Sequence, residues 1–385
     1  MVSTGSLRHW GKLKLGSPET IVFLGGKFMK KRIFAGLMAA AMVASLVGCG
    51  SSGSTAETTA AAAESQADVA ETDAAADASS DEKVTIKLGH IQSESDVWHL
   101  ASEVLAEKAA EYSNGTIDIQ IYPNSTLGGD RDMAEGMQMG TVDMALIAGV
   151  LSNFDDSISL LEIPYLFRSE DEFEKIVYGD CGEEIAQNVL DSSGIRILDW
   201  WERGPRLITS SKPINSLEDA KGLKIRLPEI KAMQEVFTAW GMAPTTMAWS
   251  EVYTSLSQGV IDAQENPIPF FYSGSIYEVN KYIANTNHKY EYVCVTISDD
   301  TWNKLSQAQQ EALKKACDDA TEYHNENVKK IAEDDLKDMV DNYGVTVTDP
   351  DTSEFIAIAD EVAPKYAESI GCTDLYNKIE EELGR

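Results

Sequence analysis

Positive charge is scarce in this chain of 385 residues. Its 32 Lys and Arg stand against 63 Asp and Glu, for a formal net charge of −31. Nucleic acid and anionic lipid surfaces both require basic patches, so neither is expected as a partner. Histidine is scarcer still: five in all, and those at 90, 99, 288 and 324 have no metal-ligand spacing between them. Cysteine also numbers five, with no Cys-x-x-Cys pair. Cys181, Cys294, Cys317 and Cys372 read as small buried or free residues, or as a disulfide whose pairing the spacing leaves open. No Gly-x-Ser-x-Gly, His-Glu-x-x-His, Walker or Gly-x-Gly-x-x-Gly pattern occurs. No enzyme is therefore expected, and neither a metal nor a cofactor.

What is present at the N-terminus is a targeting pattern. Met29-Lys30-Lys31-Arg32 is a basic start, and Ile33 to Ala44 is an apolar stretch too short to span a bilayer. Leu46-Val47-Gly48-Cys49 then resembles a bacterial lipobox, in which the Cys becomes the lipidated first residue. The alternative is an ordinary signal peptide cleaved near Ala44. Residues 1–28 look unlike such a signal, so translation is expected to start at Met29. Residues 50–82 are built from Ala, Ser, Thr, Glu and Asp, with eight acidic residues and no Lys or Arg. Such a segment buries too little apolar surface to order itself, and its like charges extend it. It reads as a disordered tether between a lipid anchor at the cell membrane, on its extracytoplasmic side, and a folded body.

From residue 83 onward, strands and helices alternate, which implies a doubly wound α/β sheet. Val84 to Gly89 alternates apolar and polar residues. Asp96 caps a helix with an apolar stripe of Val97, Leu100, Val104, Leu105 and Ala109. Thr116 to Tyr122 is a second strand, and Val142 to Ala148 is a continuous apolar run of the buried parallel type. After Ile195 to Trp201 the alternation resumes with Leu223 to Leu227, Met242 to Thr246 and Val260 to Asn266. Gly140-Thr141-Val142-Asp143 is echoed by Gly259-Val260-Ile261-Asp262. The echo fits two similarly built lobes, and equally a common helix-to-strand solution. Asn285 to His288 reads as a loop before a β-rich run, Tyr290 to Ile297. Gln307 to about Tyr343 reads as one helix, long enough to bend or to stride across two lobes.

Open α/β sheets hold ligands at strand ends, and three such ends are punctuated here. Lys224-Ile225-Arg226-Leu227 stops at Pro228, Trp249-Ser250-Glu251 opens a helix, and Gln264-Glu265-Asn266 stops at Pro267. A guanidinium offers paired planar donors that match a carboxylate, and a cleft that excludes water strengthens the pairing. Arg226 and Arg206 are therefore candidates to bind an anion in an otherwise acidic body, against the plainer reading of ion pairs with native carboxylates. Trp201 and Glu202 end a strand beside Arg206, and His90 ends the first strand. A core tryptophan and a structural histidine are the plain readings of Trp201 and His90.

Lys224-Ile225-Arg226, Trp249-Ser250-Glu251-Val252-Tyr253 and Asp262-Ala263-Gln264-Glu265-Asn266-Pro267 resemble the signature blocks of the DctP family. These are the substrate-binding proteins of tripartite ATP-independent periplasmic (TRAP) transporters. Tyr122-Pro123-Asn124, Leu127-Gly128-Gly129 with Arg131, and Arg206 to Ser211 add to the likeness, which covers roughly residues 84 to 370. The resemblance implies a periplasmic-binding-protein-like fold: two α/β lobes around a ligand cleft, with a long helix spanning both. The expected division is residues 83–203 plus about 292–331 for one lobe, and 204–291 plus about 332–385 for the other. The resemblance also implies a carboxylate ligand held by Arg226, with Arg206 adding charge and Asn266 bonding the same end. The aromatic before Ser250 is usually Phe in that family. Trp249 departs from this and suggests a more sugar-like pocket. Glu265 is expected to hold an Arg or to face the ligand.

The expected function is thus an extracytoplasmic receptor for an organic acid, of the hexuronate-like sugar-acid kind, that serves the membrane subunits of a TRAP permease. A C4-dicarboxylate or keto acid in the same role is one alternative. A ligand-sensing lipoprotein that signals to another partner is a second.

Overall fold

The computed structural model describes residues 81–385. The expected leader, Cys49 and the tether up to residue 80 lie outside the described residues. Among the described residues nine strands form one sheet. They are β1 (Val84–Gly89), β2 (Ile117–Tyr122), β3 (Met144–Ile147), β4 (Ile195–Ser210), β5 (Lys224–Leu227), β6 (Ala243–Thr246), β7 (Ala263–Asn266), β8 (Tyr282–Ser298) and β9 (Thr346–Thr348). The order across the sheet is β2-β1-β3-β8-β4-β7-β5-β6, with β9 pairing β8 off this path.

The two flanks of the sheet repeat one construction. On one side β1 pairs in parallel with β2 and β3; on the other β5 pairs in parallel with β6 and β7. The echoed Gly-x-x-Asp segments do the same work in each. Gly140 and Gly259 take left-handed φ values of 72° and 68°, a conformation that glycine adopts without penalty. Three residues on, the side chain of Asp143 accepts the backbone N–H of Lys87 at 2.9 Å, and that of Asp262 accepts the N–H of Lys224 at 3.0 Å. Each turn therefore pins the incoming strand to the flank's central strand, β1 or β5. The echo is a repeated structural device.

Two long antiparallel strands join the flanks. β4 has 16 residues and β8 has 17. Their pairing slips register between Glu202 and Gly204 and between Arg206 and Ile208. The second slip accommodates Asn285 to His288, expected as a loop and found inside β8, with Asn287 at φ 42°. The turn-forming residues of that stretch signal the bulge and not an end of the strand. The continuity of β8 back to Tyr282 was masked by the same residues.

The helix Gln307–Tyr343 is one element of 37 residues, opened by a capping box at Ser306 and closed by Gly344. Its first half, with Leu313, Ala316 and Ala320, packs in the apolar cluster of β1, β3 and the helix Val97–Tyr112. Its second half, with Met339, packs in the cluster of Leu207, Val252 and Phe271. The third and largest cluster covers the opposite face of the sheet. At the start of the helix, Ser306 donates to Asp81 and Gln309 to the carbonyl of Glu82. Among the described residues no helix is long and apolar enough to cross a membrane.

His324 belongs to this helix, on its inner face, fully buried and stacked on Trp201 with ring centroids 4.9 Å apart. Burial pushes it from 6.5 down to about 3. The folded state thus refuses a proton that the unfolded chain accepts near pH 6.5. The stability this group contributes is complete above pH 6.5 and declines below it, by up to about 1.4 kcal/mol per pH unit. Denaturant titrations of His324→Phe should show a flatter loss of stability on acidification than wild type, and superimposable slopes would exclude the assignment.

Candidate functional site

A cavity of about 540 Å³ opens where the ends of β5 and β7 face the middle of β4. Arg203, Arg206, Arg226 and Asn266 line it together with Trp249 and Phe270. All three arginines are buried, at 4%, 3% and 5% exposure. Burial of three guanidiniums requires negative charge close by, and their partners differ.

Arg206 is fully engaged. It sits on β4, between β8 and β7, and is held by both neighbours. Its Nη2 donates to Glu265 Oε1 at 2.6 Å, its Nε to the other oxygen of Glu265, and its Nη1 to Glu291 Oε2 at 2.5 Å. Burial alone would lower this guanidinium, but the two carboxylates outweigh it and hold the group well above its usual value. The effect is reciprocal. Burial would raise Glu291, yet Lys289, Arg206 and Arg203 hold it at about 2.

Arg226 is different. It ends β5, and its Nε and Nη2 both donate to the carbonyl of Met247, at 3.0 and 2.7 Å. Among the described residues it forms no ion pair. Burial lowers it to about 10, still cationic at neutral pH. The Trp249 ring lies 5.9 Å from its Cζ. Arg226 is thus a buried, oriented cation with its charge uncompensated by direct contact, at the edge of an open cavity. That arrangement favours an anion.

Arg203 was not anticipated as a site residue. It stacks over Phe270 at 4.1 Å and lies 4.9 Å from the Trp98 ring. Its Nη1 is 3.6 Å from Glu291, its Nη2 donates to Asn266 Oδ1 at 3.4 Å, and its Nε has no hydrogen-bond partner. Arg206 comes three positions after Arg203, which in a regular strand puts them on opposite faces. The register slip at Glu202/Gly204 inserts one extra residue in β4 and brings both to the cavity. The Arg-Gly-Pro-Arg run, with Gly204 at φ 74°, is the signal that marks such a bulge. Asp130, at the start of the helix Asp130–Gln138, also lines the cavity. Its Oδ1 has no hydrogen-bond partner, and burial raises its carboxyl to about 6. Arg131 beside it bridges to Glu229, just past β5, at 2.9 Å.

Four of the candidate residues lie together on the cavity wall: Arg226, Arg206, Asn266 and Trp249. The other four lie behind it or away from it. Glu265 is fully buried beneath Arg206 and also meets His288 at 3.2 Å. His90 shares a hydrogen bond with His99 at 3.1 Å, and burial pushes it down to about 4. Trp201 is in the core and donates to Thr321 Oγ1 at 2.9 Å. Glu202 faces Lys329 at 3.6 Å, and its backbone N–H donates to Asn325. Trp201 and Glu202 immediately precede the bulge, where the strand still packs under the long helix.

Among the described residues, Glu170, Glu174 and Glu202 bring carboxylate oxygens within 4.8 Å of one another. The ammonium of Lys329 already sits 3.0 Å from Glu170, so this cluster carries its own cation. Burial, followed by the neighbouring Glu174, raises Glu202 to about 7.

A family model described as bacterial extracellular solute-binding protein, family 7 (DctP), matches residues 88–369. A solute-binding protein of Roseobacter denitrificans is 36% identical over 291 residues, which are 75% of this chain and 89% of that protein. A crystal structure of a TRAP periplasmic solute-binding protein from Roseobacter denitrificans, with bound L-galactonate, superposes with a TM-score of 0.74. It is 34% identical, with 77% of this chain and 99% of that chain covered. One from Chromohalobacter salexigens with bound D-glucuronate has a TM-score of 0.74 at 26% identity, with 77% and 99% covered.

Removal of Arg206 should be felt as stability before affinity. Arg206→Ala leaves two buried carboxylates without their partner, a loss of about 3–5 kcal/mol. Urea unfolding should register it without ligand, and a midpoint equal to wild type would contradict the pairing described.

Proposed function

The chain belongs to the DctP family, the bacterial extracellular solute-binding proteins of family 7, and on that premise we propose that it captures a hexuronate-like sugar acid. The observation that carries this is Arg226, buried and free of any carboxylate partner among the described residues, in a cavity of about 540 Å³. Ligand pockets usually measure roughly 300–1,000 Å³. The carboxylate of the ligand docks on Arg226, with Asn266 and Arg203 beside it. Arg206 is already balanced by Glu265 and Glu291, so a single carboxylate is enough. The polyhydroxyl remainder lies along Trp249, and the unpartnered Asp130 oxygen accepts a hydroxyl. The six-carbon acids named for the two similar structures, L-galactonate and D-glucuronate, have this form.

In the same reading the two lobes are residues 83–203 with about 292–331 and residues 204–291 with about 332–385. The register slips in β4 and β8 support a hinge there. Ligand binding supplies the missing counter-charge, favours closure, and presents the filled protein to the membrane subunits of a TRAP permease. Catalysis has no part in this scheme.

Calorimetry with D-glucuronate and L-galactonate tests the ligand assignment. Arg226→Ala should weaken binding of whichever acid binds by at least about tenfold, with the unfolding midpoint little changed. Wild-type affinity in that variant would remove Arg226 from the site. The anchor is a separate proposal: Cys49 is lipidated and tethers the protein to the outer side of the cell membrane. Expressed in a bacterium, the full chain should fractionate with membranes and Cys49→Ala with the soluble extract; identical partitioning of the two would overturn it.

A further inference from the structure

Resting on the sugar-acid reading above, we propose that Gly274 is a positioning residue that seats the Trp249 indole and thereby sets the length of ligand the cavity admits. Gly274 follows the short helix Ile268–Ser273 with φ −85° and ψ 2°. L-residues take that conformation at the third position of type I turns, so backbone freedom does not explain the missing side chain. Space does. A Cβ at residue 274 would stand 2.6 Å from Trp249 Cζ2 and 3.3 Å from Cη2, and 2.9 Å from the carbonyl oxygen of Phe270.

Carbon atoms pack best at about 3.5–4.0 Å, so the indole would have to move by roughly 1 Å. Its choices are few. Trp249 packs against two of the apolar clusters at once and lies 5.3 Å from the Phe270 ring, centroid to centroid. Close-packed walls of that kind do not yield. The open side is the cavity, which Trp249 and Phe270 both line. A side chain at residue 274 therefore pushes the benzo ring of Trp249 into the volume where the far end of a long ligand lies, while the carboxylate end at Arg226 keeps its room. The atoms that clash, Cζ2 and Cη2, belong to the part of tryptophan that exceeds a phenylalanine ring. Gly274 is what allows the larger aromatic at residue 249.

The full chain labelled with 5-fluorotryptophan provides the test. The ¹⁹F resonance lost in W249F identifies Trp249, and it should shift in G274A with no ligand present. By calorimetry, G274A should weaken D-glucuronate or L-galactonate by about tenfold and a three-carbon acid such as L-lactate by less than about threefold. The double variant W249F/G274A should bind within about threefold of W249F alone, because the smaller ring removes the tighter of the two contacts a Cβ at residue 274 would make and leaves only the Phe270 carbonyl at 2.9 Å. An unmoved resonance, or a double variant as impaired relative to W249F as G274A is relative to wild type, overturns the proposal. If wild type binds no sugar acid, the sugar-acid reading fails, and the resonance alone decides for or against Gly274.

Discussion

One guanidinium on the central strand, shared by carboxylates from the strands on either side, is the contact on which the middle of the sheet depends. Arg206 of β4 meets Glu265 of β7 and Glu291 of β8. All three are buried beyond the reach of screening solvent. The network continues inward. Lys289 joins Glu291 to Glu162 at 2.9 and 3.1 Å, and the Tyr292 hydroxyl donates to Glu162 at 2.7 Å. Buried charges of this kind are costly singly and tolerable only as a complete set. Completeness holds the irregular midpoints of β4 and β8 in one arrangement, although their ladder is broken there.

The same pairing defines the cavity by subtraction. In a protein of net charge −31, a cation within reach of a carboxylate usually finds one. Arg206 does, and Arg131 and Lys329 do at the surface. Arg226 is kept from doing so by its two donations to the Met247 carbonyl, and it feels Glu265 only without direct contact. Affinity for an anion here is therefore a matter of geometry and not of bulk charge, which opposes it. The aromatic wall of Trp249 and Phe270 supplies a surface that costs little to dry.

Much of this was legible in the sequence because it rests on local patterns. Strand alternation, the Asp96 and Ser306 caps, and the glycines that end helices each act within a few residues. The Gly-x-x-Asp repeat was visible too, although by itself it fitted a common helix-to-strand turn as well as twin flanks. Arg226 could be found because strand ends carry ligands in such sheets and Pro228 marks the end, whereas Asn266 and Trp249 were found through the resemblance to the DctP blocks. What escaped was non-local. The long reach of β8 was hidden by its own bulge. Arg203 was hidden because a slip of one residue in β4 reverses the face it presents, and strand periodicity alone assigns it to the wrong side. His90 follows the end of β1 as ligand residues do, and Trp201 reads as a strand end in the sequence although β4 runs on to Ser210. Their burial against His99 and His324 depends on helices that pack from elsewhere in the chain, so sequence position alone could not separate them from the cavity wall.

The place of β8 in the sheet bears on how the chain is completed. β8 lies between β3 and β4, yet it arrives after almost every other strand. A chain released as far as residue 281 has both flanks built in outline, while β3 and β4 each present an unpaired edge of backbone donors and acceptors. Such edges recruit strands from other molecules. Seventeen residues then close both at once, and the helix that follows them seals the face. Assembly of this protein is a matter of order of arrival: its middle is finished last, and any pause in synthesis or export just before residue 282 leaves its most adhesive form exposed.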